Sequence, residues 1–235
     1  MSLENWLKVA ETAAIIAASV TAIIGIGSWR RELRGKKRYE LAEETLSLFY
    51  RVKDVISAIR SPFGHTGEGT SRPASPGEDP EQKKARDLAY SLWERYLKHE
   101  ETFNRLRTLR YQCMAILGKE AAGPFDDLNK IVQKFAVAVD MLSYAWGRMN
   151  QIGVAGPHEK IESLDKIVKE HRAVFWEGMG KPDPINEIVS HMIKEAENLC
   201  VPILSELKTG WISRILRRRG EPEAPSRGTD SPDWQ

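Results

Sequence analysis

Cysteine is nearly missing: Cys113 and Cys200 are the only two in 235 residues. They lie far apart and match no metal-ligand spacing, which argues against a disulfide framework and a zinc site. Both fall on apolar helical positions and read as reduced core thiols. Alternation at period two between turn signals is also absent, so the sequence offers no strands. There is no Gly-x-Ser-x-Gly elbow, and residues 64–71 (GHTGEGTS) lack the lysine, the spacing and the preceding strand of a Walker loop. None of the five histidines has a glutamate three positions before it, the pairing that carboxylate-bridged di-iron bundles need. Arg95 and His99 have three residues between them, short of the four to six used by a class of helical ribonucleases. Long uncharged runs are scarce too, with one exception.

That exception is residues 12–29 (TAAIIAASVTAIIGIGSW), which lead into Arg30, Arg31, Arg34, Lys36, Lys37 and Arg38 with only Glu32 opposing them. At about 1.5 Å per residue such a run, with Val9 and Ala10 ahead of it, approaches the roughly 30 Å of a bilayer's hydrocarbon core. Trp6 and Trp29 stand at its ends, where indoles favour the headgroup level. The pattern predicts a transmembrane anchor with a stop-transfer flank. The excess of Lys and Arg after the run orients it with the N-terminus outside and all that follows Arg30 cytoplasmic. A cleaved secretory signal is disfavoured by Glu4, Glu11 and the basic flank; a buried core helix is the other alternative. Ala10, Ala14, Ala18 and Ala22 recur every four residues, with Ala17, Thr21 and Gly25 on the adjacent ridge. Such small-residue rows let helices approach closely, so they predict self-association of the anchor.

The net charge of +2 conceals a polarity along the chain. Basic residues concentrate at 30–38 and again at 214–219, while the remaining body is acidic. Trp211 with Arg214, Arg217, Arg218 and Arg219 has the composition of an interfacial amphipathic segment, so both basic stretches are expected to meet anionic headgroups. Phosphate contacts to nucleic acid are the weaker alternative for the second.

The body carries helical periodicity throughout. Leu41, Thr45, Leu48, Val52, Val55 and Ile59 mark one stripe, ended by Ser61-Pro62. Residues 61–80 hold four Gly and four Pro and predict a flexible loop, after which Asp79-Pro80-Glu81 starts a new helix. A single long helix is expected over 81–117, on the stripe Ala89, Trp93, Tyr96, Glu100, Phe103, Arg107, Arg110, Met114 and Leu117. Phe125, Leu128, Val132, Phe135, Val139, Leu142, Trp146 and Met149 form an uncharged seam, the expected centre of a bundle. A short helix over 158–176 and a last one from Pro184, interrupted by Pro202, complete the set. The fold expected is therefore all-α: one N-terminal transmembrane helix (1–36), then a cytoplasmic antiparallel bundle of four longer helices plus a short one (37–219), and a disordered tail (220–235).

Two polar constellations stand out. Glu100, Arg107, Arg110 and His171 fall on apolar stripes, where charge must pair across helices or line a polar cavity. Glu187, His191 and Glu195 share a helix face at metal-ligand spacing, although a solvated row is the plainer reading. No metal or cofactor is expected.

Trp29-Arg30-Arg31-Glu32-Leu33-Arg34-Gly35, Tyr39-Glu40-Leu41-Ala42 and Tyr50-Arg51-Val52-Lys53-Asp54 resemble a group of bacterial single-pass membrane proteins without assigned activity. The resemblance spans about residues 6–63. It implies a bacterial inner-membrane setting and supplies no site residues. The expected function is a membrane-tethered interaction or scaffold protein, forming homo-oligomers through its anchor and binding a cytoplasmic protein. The alternatives are a membrane-active effector that oligomerises in the bilayer, and an enzyme using Glu100, Arg107, Arg110 and His171.

Overall fold

Six α-helices and one 3-10 turn follow each other without a strand among the described residues. In this computed structural model the backbone is described for residues 3–153 and 157–219, and the side chains for Thr12, 14–153 and 157–205. The helices are α1 (Leu3–Ile59), α2 (Pro80–Lys98), α3 (Glu100–Leu117), α4 (Gly123–Ile152), α5 (His158–Phe175) and α6 (Pro184–Arg219), with the 3-10 turn at Lys119–Ala122.

Two packing groups share one core. The second half of α1 lies against α3 and α6, while α4 carries α2 and α5 on its flanks and also touches α6. The α4 seam is buried much as its periodicity predicts, with Phe125, Leu128, Phe135, Val139 and Leu142 in the core and Ile131 and Ala138 beside them. On α1, Leu41, Thr45, Val52, Val55 and Ile59 are buried, joined by Ala42, Phe49 and Ile56. Phe49 meets Phe125 edge-on at 5.0 Å between centroids, which locks α1 to α4 across the core. Small residues, Ala85 and Ala89 on α2 and Ala145 and Gly147 on α4, are buried where those two helices meet and permit close approach.

The first correction concerns the N-terminus. No helix, among the described residues, is long and apolar enough to cross a membrane. Within the described residues the uncharged stretch of α1 before Arg30 carries many small or weakly apolar residues, Ala14, Ala17, Ala18, Thr21 and Ala22 among them. Gly25, Gly27 and Ser28 dilute its apolar character further. The expected transmembrane anchor is thus overturned. What the structure has instead is one unbroken helix that emerges from the bundle near Tyr39 and runs on outside it.

The second correction concerns the expected single helix over 81–117. It breaks at His99, whose φ of −115° and ψ of 11° leave the helical region and separate α2 from α3. Continuing the stripe without a break would drive Glu100, Arg107 and Arg110 inward. Past the break Phe103, which lies on that stripe, is buried, and the ridge then runs through Leu106, Leu109 and Cys113 in place of Arg107, Arg110 and Met114. Tyr96 and Phe103 bridge the corner with centroids 4.8 Å apart. The bundle therefore has six helices where four longer and one short were expected.

Residues 61–79 lie on α2. Arg95 donates to the carbonyls of Ile59, Ser61 and Phe63 and pairs with Glu68. Glu94 accepts from the Gly69 N–H at 2.7 Å and from Ser71 at 2.8 Å. Arg72 reaches both Glu78 and Asp87. Burial pulls the Glu94 carboxyl upward, but Ser71, the Gly69 amide and Lys98 outweigh it and hold it below the usual range. Gly69 makes this docking possible: its φ is +81°, and a Cβ there would stand 1.7 Å from the Asp87 carbonyl oxygen.

Gly69→Ala should therefore lift the loop off α2 while leaving the bundle folded. The expected outcome is faster limited proteolysis within 61–79, by tenfold or more, with helical circular dichroism unchanged; unchanged cleavage would contradict this account of the loop.

Candidate functional site

Large apolar side chains in water are the most unusual feature of the surface. On the projecting part of α1, Ile15, Ile16, Val20, Ile23, Ile24, Ile26, Trp29 and Leu33 are all about half exposed or more. At 100° per residue they separate from the small ones. Ile15, Ile16, Val20, Ile23, Ile24 and Ile26 occupy one side, and Ala14, Ala17, Ala18, Thr21, Ala22 and Gly25 the other. A Cβ added at Gly25 would meet nothing within 4 Å, so the small side is open. Thr21 and Ser19 donate their hydroxyls to the carbonyls of Ala17 and Ile15, each at 2.8 Å. Both hydroxyls are thus satisfied by their own helix.

At the base of this arm Arg30, Arg31, Arg34, Lys36, Lys37 and Arg38 stand beside Trp29. Lys36 makes an exposed pair with Glu40 at 3.8 Å, and Arg34 donates to the Arg30 carbonyl at 3.3 Å. Exposed pairs of this kind hold a side chain only weakly, so the collar keeps its charge available. Of the other residues expected at a membrane surface or on the association face, the side chains of Trp6, Ala10, Trp211, Arg214, Arg217, Arg218 and Arg219 lie outside the described residues, as does the tail from 220.

The four polar candidates do not assemble into a buried network. Glu100 and Arg107 are exposed; Glu100 accepts from Asn104, and Arg107 donates to Asn104 and to the Tyr96 hydroxyl. Arg110 pairs with Asp126 at 2.9 Å. His171 lies on α5, in a shallow depression with Lys130, Lys134 and Glu170. Glu100 and Arg107 face outward because of the break at His99, while Arg110 pairs across to α4. Of Glu187, His191 and Glu195, only His191 has a notable partner: its Nδ1 meets Asp127 at 2.6 Å. No group of three potential metal ligands gathers among the described residues. Asp127 also accepts from Lys130 at 2.7 Å; although burial raises its pKa, these two partners lower it more. The thiols are shielded: burial pushes Cys200 up to about 12, and Cys113 is raised for the same reason while its sulfur contacts the Thr45 hydroxyl at 3.4 Å. Neither has the lowered pKa of a reactive cysteine.

The bundle's own polar centre is Arg60, which sequence reading missed. Its side chain is fully buried at the end of α1. Its guanidinium donates to both oxygens of Asp183 at 2.9 and 2.8 Å, to Asn186 at 3.2 Å, and to the carbonyls of Val174 and Ala173 at 2.9 and 2.7 Å. Asp183 in turn accepts the N–H groups of Ile185 and Asn186 and so caps the start of α6. The Arg60 carbonyl accepts from Glu177, and Ser57 donates to the Glu177 carboxylate. One residue therefore holds the α5–α6 connection against the end of α1, and with it Trp176, which stacks beside Phe175 and Trp146. A signal existed: Arg60 follows Ile56 by four and continues the buried ridge of α1.

Comparison with family models, characterised proteins and solved structures finds no match to this chain.

Removing one partner of a buried, hydrogen-bonded ion pair costs about 3–5 kcal/mol. Arg60→Ala is expected to lose that much in urea unfolding, and Arg60→Lys a large part of it, since an ammonium cannot reproduce the fork of contacts. Burial raises the Asp183 pKa, but the Arg60 hydrogen bonds and the two backbone amides lower it further, to below the usual carboxylate range. The pair's contribution is thus full above the unfolded value of about 3.9 and fades as pH falls through the lower folded value. Asp183→Asn should reduce stability at pH 7 and flatten its decline in acid; a parallel decline in both proteins would refute the assignment.

Proposed function

We propose that this chain is a helical interaction protein, held at a lipid surface and self-associating through the projecting arm of α1. The observation that carries this reading is the run of large apolar side chains, half exposed or more, along the described part of α1 ahead of the bundle. Contiguous exposed apolar surface on a folded protein marks a binding face. Fully burying a large aliphatic side chain contributes about 1.5–3 kcal/mol, so covering the exposed parts of these residues offsets a share of the cost of association.

The two sides of the arm suit two roles. The small side, from Ala14 to Gly25, admits a second backbone at close range, and packing there needs no polar contact. The branched side is left to rest against a lipid surface. The basic collar supports the same reading, because each Lys or Arg near an anionic surface gains about 1 kcal/mol. The collar and the resemblance noted above support a setting at the inner face of a bacterial membrane.

Flotation of the full-length protein with vesicles of phosphatidylglycerol and phosphatidylcholine tests the reading. Wild type is expected to float, and neutralising Arg30, Arg31 and Arg34 to Gln should weaken binding tenfold or more at low salt. Ala14→Leu with Ala18→Leu should leave flotation intact and abolish cross-linked oligomers. A protein that neither floats nor forms oligomers would overturn the proposal.

A further inference from the structure

A groove between α2, α4 and α5 has a volume of about 510 Å³, within the range of small-molecule sites. Its walls are Leu88, Trp146, Val168 and Trp176, and its rim carries Lys84 and Arg172. No carboxylate lines it. Leu88 is 48 % exposed, although it sits one position from the buried Ala89, because the groove leaves its side chain uncovered.

The walls are built and held in place. Trp146 and Trp176 face each other at 5.8 Å between centroids with a tilt of 33°, and Phe175 backs both, at 5.7 and 4.8 Å. Trp176 ends α5 in an extended conformation, its N–H donating to the Arg172 carbonyl at 3.0 Å and its own carbonyl accepting from the buried Arg60 at 3.5 Å. The aromatic wall thus rests on the central ion pair and needs no ligand to form.

The rim charge is spare. Arg172 makes no ion pair among the described residues; its guanidinium lies 5.7 Å from the Trp176 ring and donates only to the Met179 sulfur. Lys84 pairs with Glu81 at 3.0 Å, but both groups are largely in water and readily exchange partners. Asn150, also on the groove, donates to the Glu81 carbonyl, and its side-chain oxygen accepts no hydrogen bond among the described residues.

We propose that this groove binds a small amphipathic anion: a planar aromatic body between Leu88, Val168 and the two tryptophans, with one anionic group held by Arg172 and Lys84. Indole walls select a flat apolar body, and a guanidinium without an acidic partner supplies the anion contact. A neutral ligand would leave the rim cations unused, and a cation would be repelled by them.

Titrating the full-length protein with 1-anilinonaphthalene-8-sulfonate and with its uncharged relative N-phenyl-1-naphthylamine, followed by fluorescence, tests this. The sulfonate should bind at least tenfold more tightly than the neutral probe. Arg172→Gln should weaken the sulfonate about tenfold and leave the neutral probe unaffected, and Leu88→Asp should abolish sulfonate binding with unchanged helical circular dichroism. Equal affinity for the two probes would overturn the proposal. So would sulfonate binding that survives both substitutions, because the probe would then be sitting on the apolar arm.

Discussion

A guanidinium with no access to water sets the geometry of this bundle. Burying Arg60 is costly, and the cost is met only because an aspartate, an asparagine and backbone carbonyls converge on it from the end of α5 and the start of α6. Apolar seams alone would allow α5 and α6 to slide along α4 and α1, since shifting by one turn exchanges one leucine or valine for another. A fork of directed hydrogen bonds does not permit that exchange. The position of the α5–α6 connection, the capping of α6 and the placement of Trp176 all follow from the one side chain.

Much of the helical pattern was legible because burial obeys periodicity where helices are straight. On α4, Phe125, Leu128, Phe135, Val139 and Leu142 are buried as their spacing implied. The same reasoning failed beyond His99, where one residue outside the helical region shifts the buried ridge after Phe103. Leu106 and Leu109, skipped by the sequence stripe, are buried, and Arg107 is in solvent. Arg60 was only partly legible: its place four after Ile56 put it on the buried ridge of α1, but its partners lie more than a hundred positions away and no local pattern points to them. The tryptophan groove shares that difficulty, since Trp146 reads as one more seam residue until Trp176 is brought beside it. The arm is legible as apolar and basic-flanked, but among the described residues it does not amount to a membrane span.

The candidate surfaces divide by physical type. The arm offers an extended apolar face with a charged base, suited to a helix or a lipid surface, and its association is insensitive to fine shape. The groove between α2, α4 and α5 is pre-formed, aromatic and edged with cations, which suits a compact ligand. They occupy different parts of the molecule: the arm leaves the bundle near Tyr39, whereas the groove lies by Trp176, held against the opposite end of α1 through Arg60.

Because α1 has no break between the arm and Ile59, the two sides of the arm are keyed to the orientation of the helices packed below it. A helix advances about 100° with each residue. One residue added at the exposed Lys36 or Lys37 would swing the alanine side by that angle relative to α3 and α6, and a fourth would nearly restore it. In an assembly joined through the arms, the spacing and rotation of neighbouring bundles would then be written in the residue count of a single stretch of backbone.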